Sequence, residues 1–261
     1  MRTAPKPLCL EPLESRLLLS TVWQGTDTDG DKVTIKLSGQ GGLHVETVDE
    51  GLGLRIETIH LLGTGPSDKL TIKASQNGGD GQVTIDEIEG SGQSLEWLNL
   101  DGYLGHLTLD SLANLSVTGS ERLDEAPAKW QINSDVKQLK AIGDLEGVIV
   151  DVKGTLKKAI IGGNLSDATI LVDQQLKQLR VAGNVEDSSL IAANGKINLV
   201  AIGGHLTGSN IETNEKLVNL DVKGNVIDSL VKATTAIKKI RVDGRVDNTI
   251  IESVGLIKKI D

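Results

Sequence analysis

From Gly143 onward the chain repeats itself. Glycine recurs at Gly143, Gly163, Gly183, Gly204, Gly224 and Gly244, at steps of 20, 20, 21, 20 and 20 residues. A period of this length constrains the fold more than any local motif, because each unit must be one supersecondary element stacked on its neighbours. Within a unit, side-chain types return at fixed offsets from the glycine. Two places on stand Leu145, Leu165, Val185, Leu206, Val226 and Val246. Five places on is a small or β-branched residue (Val148, Ala168, Ser188, Ser209, Ser229, Thr249), and seven places on an aliphatic one (Val150, Ile170, Leu190, Ile211, Val231, Ile251). After a polar link come Leu156, Leu176, Ile197, Leu217, Ile237 and Ile257, and three residues later Ala159, Leu179, Val200, Leu220, Ile240 and Ile260. One more step of two brings Ile161, Val181, Ile202, Val222 and Val242. Steps of two are strand periodicity.

Such a unit is too short for a βαβ crossover and holds no stretch with helical spacing. It accommodates two or three short strands joined at corners. If each unit is one turn of a coil, equivalent residues lie about 4.8 Å apart and the aliphatic positions stack into continuous internal columns. The expected fold is all-β: a single-stranded parallel β-helix (β-solenoid) with coils of about 20 residues and an N-terminal β cap. A leucine-rich repeat is the rival, because Leu176 to Asn184 (L-K-Q-L-R-V-A-G-N) fits its pattern. Asp144, His205 and Arg245 interrupt its asparagine position, and the rest of each unit lacks a helical segment. The repeat glycines are expected at a corner of positive φ, followed by asparagine at Asn164, Asn184 and Asn225.

The absence of Phe, with one Tyr and three Trp, suits a narrow interior that admits Leu, Ile, Val and Ala but little that is wider. A formal charge of −9 opposes a nucleic-acid partner, whose footprint would be basic. No apolar run reaches the length of an ordinary membrane span. Cys9, the lone cysteine, excludes an internal disulfide framework.

Ahead of the regular repeats, Val22 to Leu37 reads as a hairpin around Asp29-Gly30. Further strands are expected over Leu43–Val48, Leu54–Leu62, Lys69–Ala74 and Gln82–Ile88. Glycines at Gly102, Gly119 and Gly143 imply coils of uneven length, with Pro127 and Trp130 in a corner or small loop. The chain divides into a targeting segment (1–20), a capping β region (21–68) and the β-helix (69–261). The sequence reaches Ile260-Asp261 just after a strand with no polar cap. This implies a frayed last coil or end-to-end self-association, since raw strand edges invite pairing.

The N-terminal segment contains Leu10-Glu11-Pro12-Leu13-Glu14-Ser15-Arg16-Leu17-Leu18-Leu19-Ser20. Glu11, Glu14 and Arg16 break it as an ordinary signal-peptide core. It resembles the LEPR-XLL motif found near the start of large bacterial exported or surface-held proteins, through Leu13, Glu14, Arg16, Leu18, Leu19 and Ser20. It departs from that motif at Ser15, where proline is usual, and at Thr21, where alanine is common. The resemblance implies sorting to the cell surface or exterior and a repetitive β-rich body; it implies no activity.

Three groups of residues are candidates for chemistry. Asp27, Asp29 and Asp31 have the i, i+2, i+4 spacing of calcium loops, but Lys32 and Ser38 stand where an EF-hand needs glycine and glutamate. They read as a solvated turn, with a partly hydrated calcium site as the functional alternative. The glycine-rich stretch Asn77 to Gly81 is a solitary unit and is not assigned to calcium. Asp167 and Asp187 share a place in successive units, repeated by Asp228. Stacking sets their carboxyls about 5 Å apart, a glycosidase-like spacing, although the period alone produces it and Asp forms corners readily. Lys137, Lys157, Lys177, Lys238 and Lys258 share one corner place, with Lys158, Lys239 and Lys259 beside them and Arg180 and Arg241 on the adjoining strand. This basic band either keeps the face soluble or attracts an anionic polysaccharide or cell-envelope polymer. Four histidines (His44, His60, His106, His205) show no ligand spacing. The reading is a non-enzymatic, exported β-solenoid acting as a surface, adhesive or matrix component. The alternatives are a β-helix polysaccharide lyase or hydrolase acting on acidic glycans, and a fragment of a larger adhesin.

Overall fold

The computed structural model describes residues 21–122, 126–187 and 189–261. The expectations placed on residues 1–20, including the motif resemblance, lie outside them. The chain is an all-β solenoid of about eight coils of about 20 residues, without a helix among the described residues. It begins with β1 (Val22–Thr26), β2 (Lys32–Ser38), β3 (Gly42–Asp49), β4 (Leu54–Leu62) and β5 (Lys69–Ser75). β6 (Val83–Leu100) and β7 (Gly102–Val117) are long strands that continue past a corner. β1 and β2 pair antiparallel, as do β2 and β5, and β3 and β4. β4 and β5 then pair in parallel with the two halves of β6. From there pairing is parallel throughout.

Each regular coil has three faces. The first is a two-residue strand, Leu145–Glu146 and its successors through Val246–Asp247, in a separate sheet. The second runs from Val148–Val152 through Thr169–Val172 to Ile250–Ser253. The third runs from Gln138–Ala141 through Ala159–Ile161 to Ala236–Val242. The pairing is in register, so like stacks on like. Leu145, Leu165, Val185, Leu206, Val226 and Val246 form one column. Leu156, Leu176, Ile197, Leu217, Ile237 and Ile257 form another. Nearly all of these are buried, and each is worth about 1.5–3 kcal/mol by removal from water.

The structure corrects the offset in one unit. Ile191, not Leu190, pairs with Ile170 and enters the core, and Ser189 takes the inner small-residue position, Ser188 lying outside the described residues. The extra residue of the 21-residue unit lies between Glu186 and Ser189, shifting everything behind it by one. The inner position is a hydroxyl column. Buried Ser189, Ser209 and Ser229 donate to the carbonyls of Glu186, Thr207 and Ile227, at 2.8, 2.9 and 2.7 Å. Trp130 is also corrected. It lies in the strand Ala128–Ile132, level with Leu107 and Val150, and is fully buried. Its Nε1 donates to the Gly105 carbonyl at 2.9 Å, which satisfies the one polar atom of the ring.

A third correction concerns the repeat glycines, which do not adopt positive φ. The left-handed positions are four residues later, at Gly147, Asp167, Asp187, Gly208, Asp228 and Asn248, with φ from 42 to 59°. Glycine, aspartate and asparagine are the residues that tolerate this conformation. The repeat glycines answer to a different demand. Asp144, Asn164 and Asn184 each accept, through Oδ1, the backbone N–H of the equivalent residue one coil on, at 2.5, 2.8 and 2.9 Å. His205 Nδ1 and Asn225 Oδ1 continue the ladder, both at 2.8 Å. The accepting atom lies under the next glycine: a Cβ on Gly183 would stand 2.2 Å from Asn164 Oδ1, and one on Gly204 2.1 Å from Asn184 Oδ1. Glycine and ladder residue therefore require each other.

Asn184→Ala removes the acceptor of the solvent-accessible His205 N–H and is expected to cost about 0.5–1.5 kcal/mol. Gly204→Ala overpacks the corner and is expected to cost about 1–3 kcal/mol. The double variant should be destabilised by less than the sum, because Asn184 Oδ1 is the atom the new methyl strikes. Chemical denaturation of the four proteins measures this coupling; strict additivity refutes the account.

Candidate functional site

The structure brings the acidic trio together. One carboxylate oxygen from each of Asp27, Asp29 and Asp31 lies within 4.8 Å of the others, at the turn joining β1 to β2. The glycine-rich loop between β5 and β6 folds over this turn and feeds it donors. Asp31, fully buried, accepts the N–H groups of Asn77 at 2.6 Å, Gly79 at 3.0 Å and Gly81 at 2.5 Å. Asp29 accepts from Asp80 N–H at 3.1 Å, and Asp27 from Asp31 N–H at 2.8 Å. A side chain on Gly79 would collide with the Asp29 carboxylate, so glycine admits the loop. The trio is thus a clamp holding two cap loops together, rather than a solvated turn. Buried Asp68 does the same elsewhere in the cap, accepting from Gln40, Gly41 and Gly65.

The donor set is all carboxylate oxygen, which suits a hard cation such as calcium. Backbone donors already occupy an oxygen on each residue, so coordination would use the remaining lone pairs. Burial, and then a shared hydrogen bond with Asp29, push the Asp27 carboxyl up to about 6, and the same hydrogen bond holds Asp29 below its ordinary range.

Asp167 and Asp187 stand at the left-handed corner between the first and second faces, where φ accounts for the recurrence of Asp. Asp167 is ion-paired with Arg122. The basic band divides into two clusters. In the corner column Lys137, Lys157 and Lys177 follow one another, then Asn198 and Val218 intervene before Lys238 and Lys258. Arg180 and Arg241 do not adjoin: Ala201 and Asp221 lie between them. The later cluster is partly neutralised. Arg241 meets Asp243 at 2.9 Å, and Lys239 and Lys259 meet Asp261 at 3.6 and 2.7 Å. These cations keep Asp243 (beside Lys223 first, then Arg241) and Asp261 (beside Lys259) below the usual carboxylate range. Lys157, Lys158, Lys177 and Lys238 have no carboxylate partner among the described residues, leaving Lys157, Lys158, Lys177 and Arg180 as the more open cationic patch.

Two further groupings stand outside the residues already described. On the second face, Asp151, Leu171, Ala192 and Glu212 occupy one column. The small Ala192 leaves a groove of about 250 Å³, flanked by Asp173 and Asn194. Lys153 bridges its acids, 3.0 Å from Asp151 and 3.7 Å from Asp173, and both raise the pKa of the lysine. In the cap, His44 and His60 meet face to face across β3 and β4. The groove follows the coil period, with steps of 20, 21 and 20 residues from Asp151 to Glu212, whereas the histidine pair depends on antiparallel strand pairing, which residue spacing does not encode.

Asp27 binds its proton more tightly in the folded chain than in the unfolded one, so the folded state loses stability as pH rises from about 4 through about 6. Asp27→Asn keeps the acceptor for the Asp31 N–H but carries no charge. Near pH 7 it should stabilise the chain by roughly 1–3 kcal/mol, less the opposing contribution of Asp29, with the gain fading toward pH 4. Urea melts across this range check the sign; a pH-independent difference would refute it. No family model, curated protein or solved structure matches this chain.

Proposed function

We propose that this chain is a non-enzymatic, exported β-solenoid serving as a cell-surface, adhesive or extracellular-matrix component. The observation that carries the reading is how the recurring polar side chains of the coil are used. The Asn ladder, the Ser column and the left-handed Asp corner support backbone in successive coils. A shaft built this way is a stiff, extensible display surface. The N-terminal resemblance supports export. The cluster Lys157, Lys158, Lys177 and Arg180 supports attraction for an anionic polysaccharide or cell-envelope polymer, and the corresponding cluster Lys238, Lys239 and Arg241 contributes less because acids screen it. Among the described residues no helix is long and apolar enough to cross a membrane.

The terminal coil supports self-association. Val246 and Ile260 are exposed there, at positions that earlier coils bury, and Ile250, Val254 and Leu256 are exposed beside them. Arg245, Lys258 and Lys259 balance Asp247, Glu252 and Asp261 in that coil, so two copies meeting there face no net repulsion despite the overall charge of −9.

Cell fractionation with sequencing of the mature N-terminus tests export; recovery of the intact N-terminus in the cytoplasm alone refutes it. Charge reversal at Lys157 and Lys177 should weaken binding to an acidic polysaccharide by about tenfold or more at low salt and leave the melting temperature nearly unchanged. A solid-phase assay with alginate or pectate reads this. Light scattering reads self-association: Ile250→Lys with Leu256→Lys should convert a concentration-dependent oligomer to a monomer, and a parent chain that stays monomeric at high concentration removes the proposal.

The second reading, a lyase or hydrolase of acidic glycans, is favoured by one feature, the acidic groove at Asp151, Asp173 and Glu212. Turnover of such a glycan, lost in Asp173→Ala or in Asp167→Ala with Asp187→Ala, would establish it in place of the structural reading.

A further inference from the structure

His44 and His60 are 16 residues apart in sequence but directly opposite in the antiparallel pair of β3 and β4. Their rings stack with centroids 6.0 Å apart and planes inclined by 22°. Glu46, two residues along β3 and hence on the same side, places Oε1 3.3 Å from His60 Nε2 and 3.8 Å from His44 Nε2. β4 pairs in parallel with β6, which brings Glu89 level with His60. Glu89 Oε2 lies 2.8 Å from His60 Nδ1. The four side chains are between a quarter and a half exposed, on one side of the cap sheet.

The two carboxylates have different roles. In the neutral imidazole Glu89 accepts the Nδ1 proton, which leaves the Nε2 lone pair of His60 directed at Glu46. Two acceptors, Nε2 and Oε1, then face each other at 3.3 Å, and a cation between them resolves that opposition. A carboxylate that fixes the far nitrogen of a ligating histidine is the usual outer partner in transition-metal sites. Two imidazoles and one carboxylate are also a donor set for zinc-like ions, in contrast to the all-oxygen aspartate trio.

We propose that His44, His60 and Glu46 form a surface site for a divalent transition-metal ion of the Zn²⁺ class, with Glu89 as the residue that positions His60 and water completing the shell. Metal–nitrogen bonds of about 2.0–2.1 Å require the two Nε2 atoms to approach within about 4 Å. Directly opposed residues of an antiparallel pair have Cβ atoms only about 4.5–5.5 Å apart, so rotation of the exposed rings achieves this without backbone movement. The bound ion joins β3 to β4 and reinforces the cap. The competing occupant is a proton on Nε2, which would make His60 an imidazolium paired with Glu46 and Glu89.

The test uses the full chain, stripped with a chelator, titrated with ZnCl₂ by calorimetry and with Co²⁺ by visible absorption. The expected result is saturable uptake of one equivalent and a higher melting temperature in the presence of zinc. His44→Ala and His60→Ala should each weaken uptake by about tenfold or more and abolish the thermal shift. Glu89→Gln should still bind but about tenfold more weakly, with an altered Co²⁺ spectrum, which a merely structural role for Glu89 would not produce. Asp29→Asn should bind like the parent. Circular dichroism verifies folding, and Glu46→Gln reads the same site should a histidine variant misfold. Absence of saturable uptake, or uptake that survives both histidine substitutions, overturns the proposal in favour of the protonated pair. Uptake lost in Asp29→Asn instead assigns the ion to the aspartate trio and overturns it equally.

Discussion

Every coil beyond the cap depends on in-register parallel pairing with the coil beneath it. That pairing satisfies the backbone and, because the period is constant, stacks each side chain on its counterpart about 4.8 Å away. A single unit has too little apolar surface to hold itself together, whereas a column of aliphatics running through successive tiers excludes water along its whole length. The same constraint explains the polar residues. An acceptor placed at the corner of one coil meets the backbone N–H of the next, so the ladder from Asp144 to Asn225 needs an acceptor at each step, and His205 serves through Nδ1. Arg245 receives the ladder through its backbone N–H, which donates to Asn225 Oδ1 at 2.8 Å.

Stacking like on like also brings like charges together, and the outer columns are arranged against this. The lysine corner is interrupted by Asn198 and Val218, and the column containing Arg180 and Arg241 carries Asp221 between them. Lys232 rests beside Glu252 of the following coil, 2.9 Å away, and its pKa is raised by that contact. Pairs this exposed are screened by solvent, so they remove repulsion more than they hold the coils together.

The chemistry of greatest interest lies in the cap, where the period fails. There antiparallel and parallel pairing meet, and loops must be joined that no repeat positions. Two buried aspartates, Asp31 and Asp68, do this with three backbone donors each. The strand crossings of the same region gather His44, Glu46, His60 and Glu89 from three strands. Loss of strict repetition lets unlike side chains converge, and convergence of unlike groups is what a binding site needs.

The solenoid class, the coil length and most inward columns were legible in the sequence, because a 20-residue period with two-residue alternation admits few packings. Leu190 and Trp130 were misplaced for a definable reason: the period says that one residue is extra, or that a coil is long, but not where the excess bulges. The repeat glycines were seen, but their purpose was misread, since steric contact with Asn164 or Asn184 of the coil below exists only once the coils are stacked. Asp27, Asp29 and Asp31 were recognisable by spacing, while the donors that turn them into a clamp come from a loop some 50 residues away. The sequence alone thus determined what repeats, because repetition is local information. Which residues meet across the cap, and where each insertion is absorbed, was decided by tertiary pairing, because those contacts join segments whose separation follows no period.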